Sequence, residues 1–188
     1  MKITGGIAGG IPIQVLKGDR TRPTTDRIRE SVFSRLQAFV QGKRVLDLFA
    51  GSGALGLDAA SRGAASVVFV EQHAATANLI LQNALKLAPA GVTADFRVLT
   101  LDAYRFLRNP AGLKVDLIFA DPPYAYLQKE EAFAALLTAI HSADVLSEDG
   151  RLVVESGSRV PLPTVPGWTL TKEKTFGISR ISFWELGG

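Results

Sequence analysis

The chain has no cysteine, two histidines and one methionine in 188 residues. Without thiols, neither a disulfide framework nor a thiolate zinc site can form. His73 and His141 have no metal-ligand neighbours in sequence, so each reads as a helix-surface residue and no metal is expected. No apolar run reaches the ~18 residues that a membrane span needs. Gly5, Gly6, Gly9 and Gly10 interrupt the first residues, leaving no apolar signal segment. Internal repeats and low-complexity tracts are also missing. A cytoplasmic chain that does not engage membranes is the expectation left by elimination. What the sequence does contain is enough apolar material, 47%, for a full core. Its length suits one domain, or one domain with a small appendage.

The net charge of +3 is unevenly spread. Residues 1–44 carry nine basic side chains against Asp19, Asp26 and Glu30, a net of +6, and the remaining twelve basic and fifteen acidic side chains give −3. A basic segment ahead of a near-neutral body suits a polyanionic partner, because phosphate contacts supply most nucleic-acid affinity. A solvated basic helix face is the plainer reading of the same charges.

Residues 1–18 read as a glycine-punctuated hairpin with Ile11, Ile13 and Val15 alternating. Thr24 or Thr25 can cap a helix running to about Val40, with Ile28, Val32, Phe33, Leu36, Phe39 and Val40 on one face. Arg29 falls inside that apolar arc and Arg27 opposite it. An arginine there either snorkels out or points into a polar cleft. Beyond this point strands are expected near 44–49, 66–71, 92–99, 115–120 and 150–155, with helices near 54–62, 73–87, 103–108 and 129–143 between them. Such alternation implies a parallel sheet covered on both faces. Two closing strands near 167–175 and 178–185, joined at Phe176-Gly177, suggest an antiparallel hairpin. The boundary is expected at 42/43: a basic hairpin-and-helix extension over 1–42, then an α/β domain over 43–188.

Two motifs carry chemistry. In Asp47-Leu48-Phe49-Ala50-Gly51-Ser52-Gly53-Ala54-Leu55-Gly56, a strand runs into a glycine turn with G-x-G-x-x-G spacing, and Glu71 ends the next strand. Alone this pattern is weak: a nicotinamide or flavin enzyme would show it, and the glycines can simply permit close strand–helix packing. Asp47, however, would repel a pyrophosphate and suits an ammonium. The second motif is Asp121-Pro122-Pro123-Tyr124, closing the apolar run Val115–Ala120. As a bare turn it is unremarkable, since proline-rich turns are common. It also resembles the catalytic loop of S-adenosylmethionine-dependent amino-group methyltransferases. An exocyclic base amine is a poor nucleophile. A carboxylate and a backbone carbonyl that accept its N–H bonds help localise the lone pair, two prolines stiffen the loop, and a tyrosine can stack on the base. That loop has no role in hydride transfer, so the two motifs together favour S-adenosylmethionine over NAD.

Arg22-Pro23-Thr24-Thr25-Asp26-Arg27-Ile28-Arg29-Glu30-Ser31-Val32-Phe33 is similar to the R-P-T-x-D-R-x-R-E-x-x-F signature of the RsmD family, bacterial enzymes that methylate guanine N2 in 16S ribosomal RNA. The glycine loop with its following helix, D-P-P-Y, and the region Lys174-Thr175-Phe176-Gly177 also fit, so the resemblance spans nearly the whole chain. Asp58 stands where glutamate is usual. The first hairpin, basic in the family, carries no charge over Ile3–Ile13 here.

The resemblance implies a class I, Rossmann-like methyltransferase fold: a seven-stranded, mostly parallel sheet with a closing antiparallel hairpin. It also implies roles. Asp47, Ala50, Gly51, Ser52 and Gly53 would hold the methionine end of S-adenosylmethionine, with Glu71 and Gln72 at the ribose and Asp102 and Ala103 at the adenine. The plainer alternative for Asp102 is a helix N-cap only. Asp121, also beside the cofactor, and Pro122 would orient the amine while Tyr124 stacks the base. Arg20, Arg22 and Arg27 would meet phosphates, and Arg29 would reach toward the target nucleotide. The expected partner is small-subunit ribosomal RNA or the assembling 30S subunit, and the chain is expected to be a monomer. An adenine-N6 methyltransferase of DNA or RNA is an alternative; a DNA enzyme of that kind normally adds a recognition domain for which 188 residues leave no room. A protein-glutamine methyltransferase would show N-P-P-Y. A non-catalytic cofactor-binding module that aids ribosome assembly is the alternative from another class.

Overall fold

The structure, a computed structural model, describes residues 1–16, 25–123 and 126–187. The Thr25 Oγ1 accepts the Ile28 N–H at 3.4 Å and opens helix α1, Asp26–Leu36. Asp26 in its first turn and Arg35 in its last complement the helix dipole. Ile28, Val32, Phe33 and Leu36 recur at helical spacing and are buried, and Phe33 meets Phe119 edge-on with ring centroids 5.6 Å apart. The expected uninterrupted helix to Val40 breaks at Gln37 (φ 42), after which a 3-10 turn over Gln37–Val40 brings Val40 into the core.

Five strands run parallel: β1 (Arg44–Asp47), β2 (Ser66–Glu71), β3 (Asp95–Thr100), β4 (Val115–Ala120) and β5 (Leu146–Gly157). The last two, β6 (Trp168–Phe176) and β7 (Ser179–Leu186), form an antiparallel hairpin, and β7 pairs antiparallel with β5. The sheet order is β3-β2-β1-β4-β5-β7-β6. Helices α2 (Ala54–Ser61) and α3 (Ala74–Leu85) join α1 on one face; α4 (Ala103–Arg108) and α5 (Glu130–Ser142) cover the other. Alternate side chains of each strand feed the two cores: Val45 and Phe119 face α1 and α2, Leu46 and Ala120 face α4 and α5. All expected strands and helices are present. The main difference is β5, which starts at Leu146 because Val115 pairs with Leu146 before a register shift absorbs the turn-like Ser147–Gly150.

The expected hairpin at the start is a short one, with a single bridge at Lys2–Pro12 and the Ile3 N–H donated to the Ile11 carbonyl at 2.9 Å. Ile3, Ala8 and Ile13 are buried in the same apolar cluster as Val45 and Val67. The segment is thus built onto the sheet domain rather than carrying a core of its own. Asp58 on α2 is the hub of this attachment. It accepts the Thr4 N–H (2.7 Å) and hydroxyl (2.9 Å), Arg62 Nη1 (2.8 Å) and Arg29 Nη1. Arg29 is wholly buried and also reaches Asp26 and the Lys2 carbonyl. The expectation that Arg29 meets the target nucleotide is therefore corrected. In the apolar arc of α1 its charge is met by a carboxylate 29 residues away rather than by solvent or a cleft.

Candidate active site

Chain order reverses at β1, which lies between β2 and β4, so a crevice forms beyond the carboxyl ends of these strands. A cleft of about 400 Å³ opens there, within the usual range for ligand sites. Main-chain bonding continues past the strand ends and sets its floor: Leu48 N–H to the Phe119 carbonyl at 2.9 Å, and Ala50 N–H to the Val70 carbonyl at 3.0 Å.

Ala50, Gly51 and Ser52 form one wall of this cleft. Gly51 has φ 52, a conformation that disfavours a Cβ. Gly53 is not in the wall. It sits behind, at the N-cap of α2 with φ 79, its N–H spent on the Ala50 carbonyl at 2.7 Å. Gly56 serves packing, since a Cβ there would lie 2.3 Å from Phe69 Cε1. The buried Asn83 ties the loop down: its Nδ2 donates to the Ser52 carbonyl (3.1 Å) and the Gln14 carbonyl (3.0 Å), and its Oδ1 accepts the Gln14 N–H (2.8 Å). The same side chain thus holds the glycine loop and the opening segment, whose Met1 and Val15 also reach the cleft.

Three carboxylates from successive strand ends face this space. Both oxygens of Glu71 accept main-chain N–H bonds, from Gly51 at 3.0 Å and His73 at 2.8 Å, which fixes the carboxylate at the rim beside Gln72. Asp47 is 1% exposed and accepts the Gly56 N–H at 2.9 Å. Burial pushes its carboxyl up to about 7; the Gly56 bond opposes this and the Glu71 charge adds to it. Asp102 caps α4, accepting the Arg105 N–H at 2.9 Å, while lining the cleft with Ala103. The N-cap and cofactor-side placements of Asp102 are therefore compatible.

Asp121, Pro122 and Pro123 form the opposite wall; Tyr124 lies outside the described residues. Several wall residues escaped the sequence reading. Tyr126, its N–H bonded to the Pro123 carbonyl at 2.7 Å, tilts against Phe49 at 6.4 Å. Glu155, Ser156 and Gly157 end β5, and Ile178 and Ser179 sit at the β6–β7 turn. Their signal was available: V-V-E-S-G closes a parallel strand, and the carboxyl ends of such strands bind ligands.

Arg20 and Arg22 lie outside the described residues, and Arg27 is exposed on α1. A second groove of about 320 Å³ runs between α1 and the β6–β7 hairpin, rimmed by Arg35, Lys172 and Lys174. These three cations are exposed and have no carboxylate partner among the described residues. No helix among the described residues is long and apolar enough to cross a membrane.

The chain resembles known proteins over its full length. The family model described as Conserved hypothetical protein 95 matches residues 1–185. The YlbH protein of Bacillus subtilis is 36% identical over 191 residues, covering 100% of both chains. Ribosomal RNA small subunit methyltransferase D of Haemophilus influenzae is 34% identical over 186 residues, covering 98% of this chain and 93% of its own. The solved structure of the Escherichia coli yhhF methyltransferase superposes with a TM-score of 0.82 at 34% identity, covering 99% of this chain and 97% of that one. The fold is that of the class I S-adenosylmethionine-dependent methyltransferases. The chain belongs to the RsmD family, whose model carries the description Conserved hypothetical protein 95.

Proposed function

We propose that the protein transfers a methyl group from S-adenosylmethionine to the exocyclic N2 of a guanine in small-subunit ribosomal RNA. The observation that carries this reading is one cleft bounded by the Gly51 loop and Glu71 on one side and by Asp121-Pro122-Pro123 on the other. The family's methyltransferase D relative, named for small-subunit ribosomal RNA, supports the substrate class.

The residues present fit the cofactor. A carboxylate locked by two main-chain N–H bonds suits a pair of ribose hydroxyls, and a buried carboxyl near Ala50 and Gly51 suits an ammonium. Glu71, Asp47, the 50–52 loop and the Asp102–Ala103 turn would hold S-adenosylmethionine, which supplies an electrophilic methyl group. The protein's own task is then positioning. An Asp121 oxygen and the Pro122 carbonyl accept the two N–H bonds of the amine and aim its lone pair, while Tyr124 stacks the base. Prolines on both sides of the Pro122 carbonyl leave the loop few alternative shapes.

Two binding measurements test the cofactor half. Glu71→Ala should weaken S-adenosylmethionine binding by about 1.5–3 kcal/mol for each charged hydrogen bond removed. Calorimetric titration reads this directly, and tight NAD binding with none of S-adenosylmethionine would end the proposal. The second uses the raised carboxyl of Asp47. The folded apoprotein keeps this proton between the ordinary 3.8 and about 7, so the group's contribution to stability falls as pH rises through that window. An ammonium bound beside it favours the charged form. Binding near pH ~6 should therefore release close to one proton, and near pH ~8 almost none. Titration in buffers of different ionisation enthalpy measures this release; the same small release at both values would remove Asp47 from the ammonium site.

RNA grip is assigned to Arg20, Arg22 and Arg27, joined by Arg35, Lys172 and Lys174 along the second groove. Replacing Arg27, Lys172 and Lys174 by alanine should flatten the salt dependence of RNA binding, with cofactor affinity unchanged. The logarithmic slope should fall by about 0.7 for each phosphate no longer neutralised. An unaltered slope would assign these cations to solvation of α1 and protection of the β6 edge.

A further inference from the structure

The carboxyl end of β5 is the part of the cleft wall to which neither the cofactor loops nor the Asp121 loop gives a role. β4 and β5 are parallel and pair Phe119 with Val153 and Ala120 with Val154. The paired register ends there; Asp121 follows Ala120 out of β4, Glu155 follows Val154 within β5, and both line the cleft. Phe119 and Val153 face the core under α1 and α2. Two residues on from Val153, Glu155 is on that same face of β5, and Asp121 is the first residue past the end of the neighbouring β4. On its other side Glu155 is in register with Ile181 of β7, which is buried and apolar. A ligand amine held at Asp121 therefore has a second carboxylate as its neighbour along the sheet.

We propose that Glu155 reads the Watson–Crick edge of the target base and makes the site select guanine over adenine; this rests on the methyltransferase function proposed above. The D-P-P-Y loop accepts N–H bonds from an exocyclic amine and so carries no preference between purines. Guanine presents the N1–H directly beside its N2 amine. A carboxylate next to Asp121 accepts that N1–H while Asp121 accepts from the amine. A carboxylate has about four acceptor positions, so a bond that Glu155 makes within the protein leaves room for this one. Adenine places a bare N1 lone pair beside its amine, and that lone pair would face the negative charge. A site built to bond a donor rejects analogues lacking it by up to ~10⁴–10⁵.

The test compares two RNA substrates, one with the target guanine and one with 2-aminopurine at that position, which keeps the C2 amine but lacks the N1 proton. Wild-type single-turnover methylation should fall at least ~10²-fold on 2-aminopurine. Glu155→Gln, whose amide can donate to the bare N1, should lose rate on guanine, gain on 2-aminopurine and bring the ratio to within about tenfold. Its cofactor affinity should stay within a few-fold of wild type. An unchanged ratio in Glu155→Gln overturns the proposal. A wild type that uses both bases equally well overturns it without any variant. Wild-type protein that methylates neither substrate overturns the functional reading, and the role of Glu155 falls with it.

Discussion

Asp121→Ala is expected to lower single-turnover methylation by about 10²–10³-fold, the range seen when one preorganised hydrogen-bonding group is removed from a reacting centre. The affinity for S-adenosylmethionine should stay within a few-fold. The reason for the split lies in the division of the cleft. The anchors proposed for the cofactor come from the ends of β1, β2 and β3, and each is held by bonds that do not involve β4's loop: Glu71 by Gly51 and His73, Asp47 by Gly56, Asp102 by Arg105. Asp121 follows β4 and lines the same cleft, and the role proposed for it is on the amine. Rapid-quench methylation beside calorimetric binding separates the two effects. Near-normal turnover in Asp121→Ala would mean that the amine is positioned by other groups.

Asp58→Ala should be strongly destabilising. Asp58 and Arg29 are both 0% exposed, and Asp58 accepts four hydrogen bonds that join the opening segment, α1 and α2. Truncation leaves Arg29 buried beside an empty space, with only Asp26 and the Lys2 carbonyl as partners. Breaking a buried pair from one side typically costs about 3–5 kcal/mol, which for a chain of this size lowers the melting temperature by about 2–4 °C per kcal/mol. Removing both charges, as in Arg29→Met with Asp58→Leu, should cost less than either single change suggests, because the fully buried Arg29 charge is not left unpaired. Thermal or urea unfolding of the two singles and the double measures the coupling. Additive losses would mean that the network merely decorates the interface.

Periodicity and spacing made most of the fold legible. The apolar runs Val67–Val70 and Val115–Ala120 have the lengths and flanks of buried parallel strands, and the glycine spacing together with Asp47 and Glu71 pointed to the cleft at their ends. Two things were hidden, for different reasons. Arg29 interrupts an apolar arc, but its partner Asp58 lies on another helix, and pairing across 29 residues has no local signature. Glu155 could be placed at the carboxyl end of a parallel strand, but that this strand neighbours β4 depends on the sheet order, which a single strand does not encode. How the opening hairpin attaches was not legible either: Ile3 and Ile13 insert into the sheet's own apolar cluster, a long-range contact with no local pattern.

The most direct test is to incubate the purified protein with methyl-labelled S-adenosylmethionine and small-subunit ribosomal RNA or 30S subunits from cells that lack the protein, then identify the labelled nucleoside by mass spectrometry. The expected product is N2-methylguanosine, confined to one position and abolished by Asp121→Ala. Label in N6-methyladenosine, or no label in either substrate, would contradict the assignment.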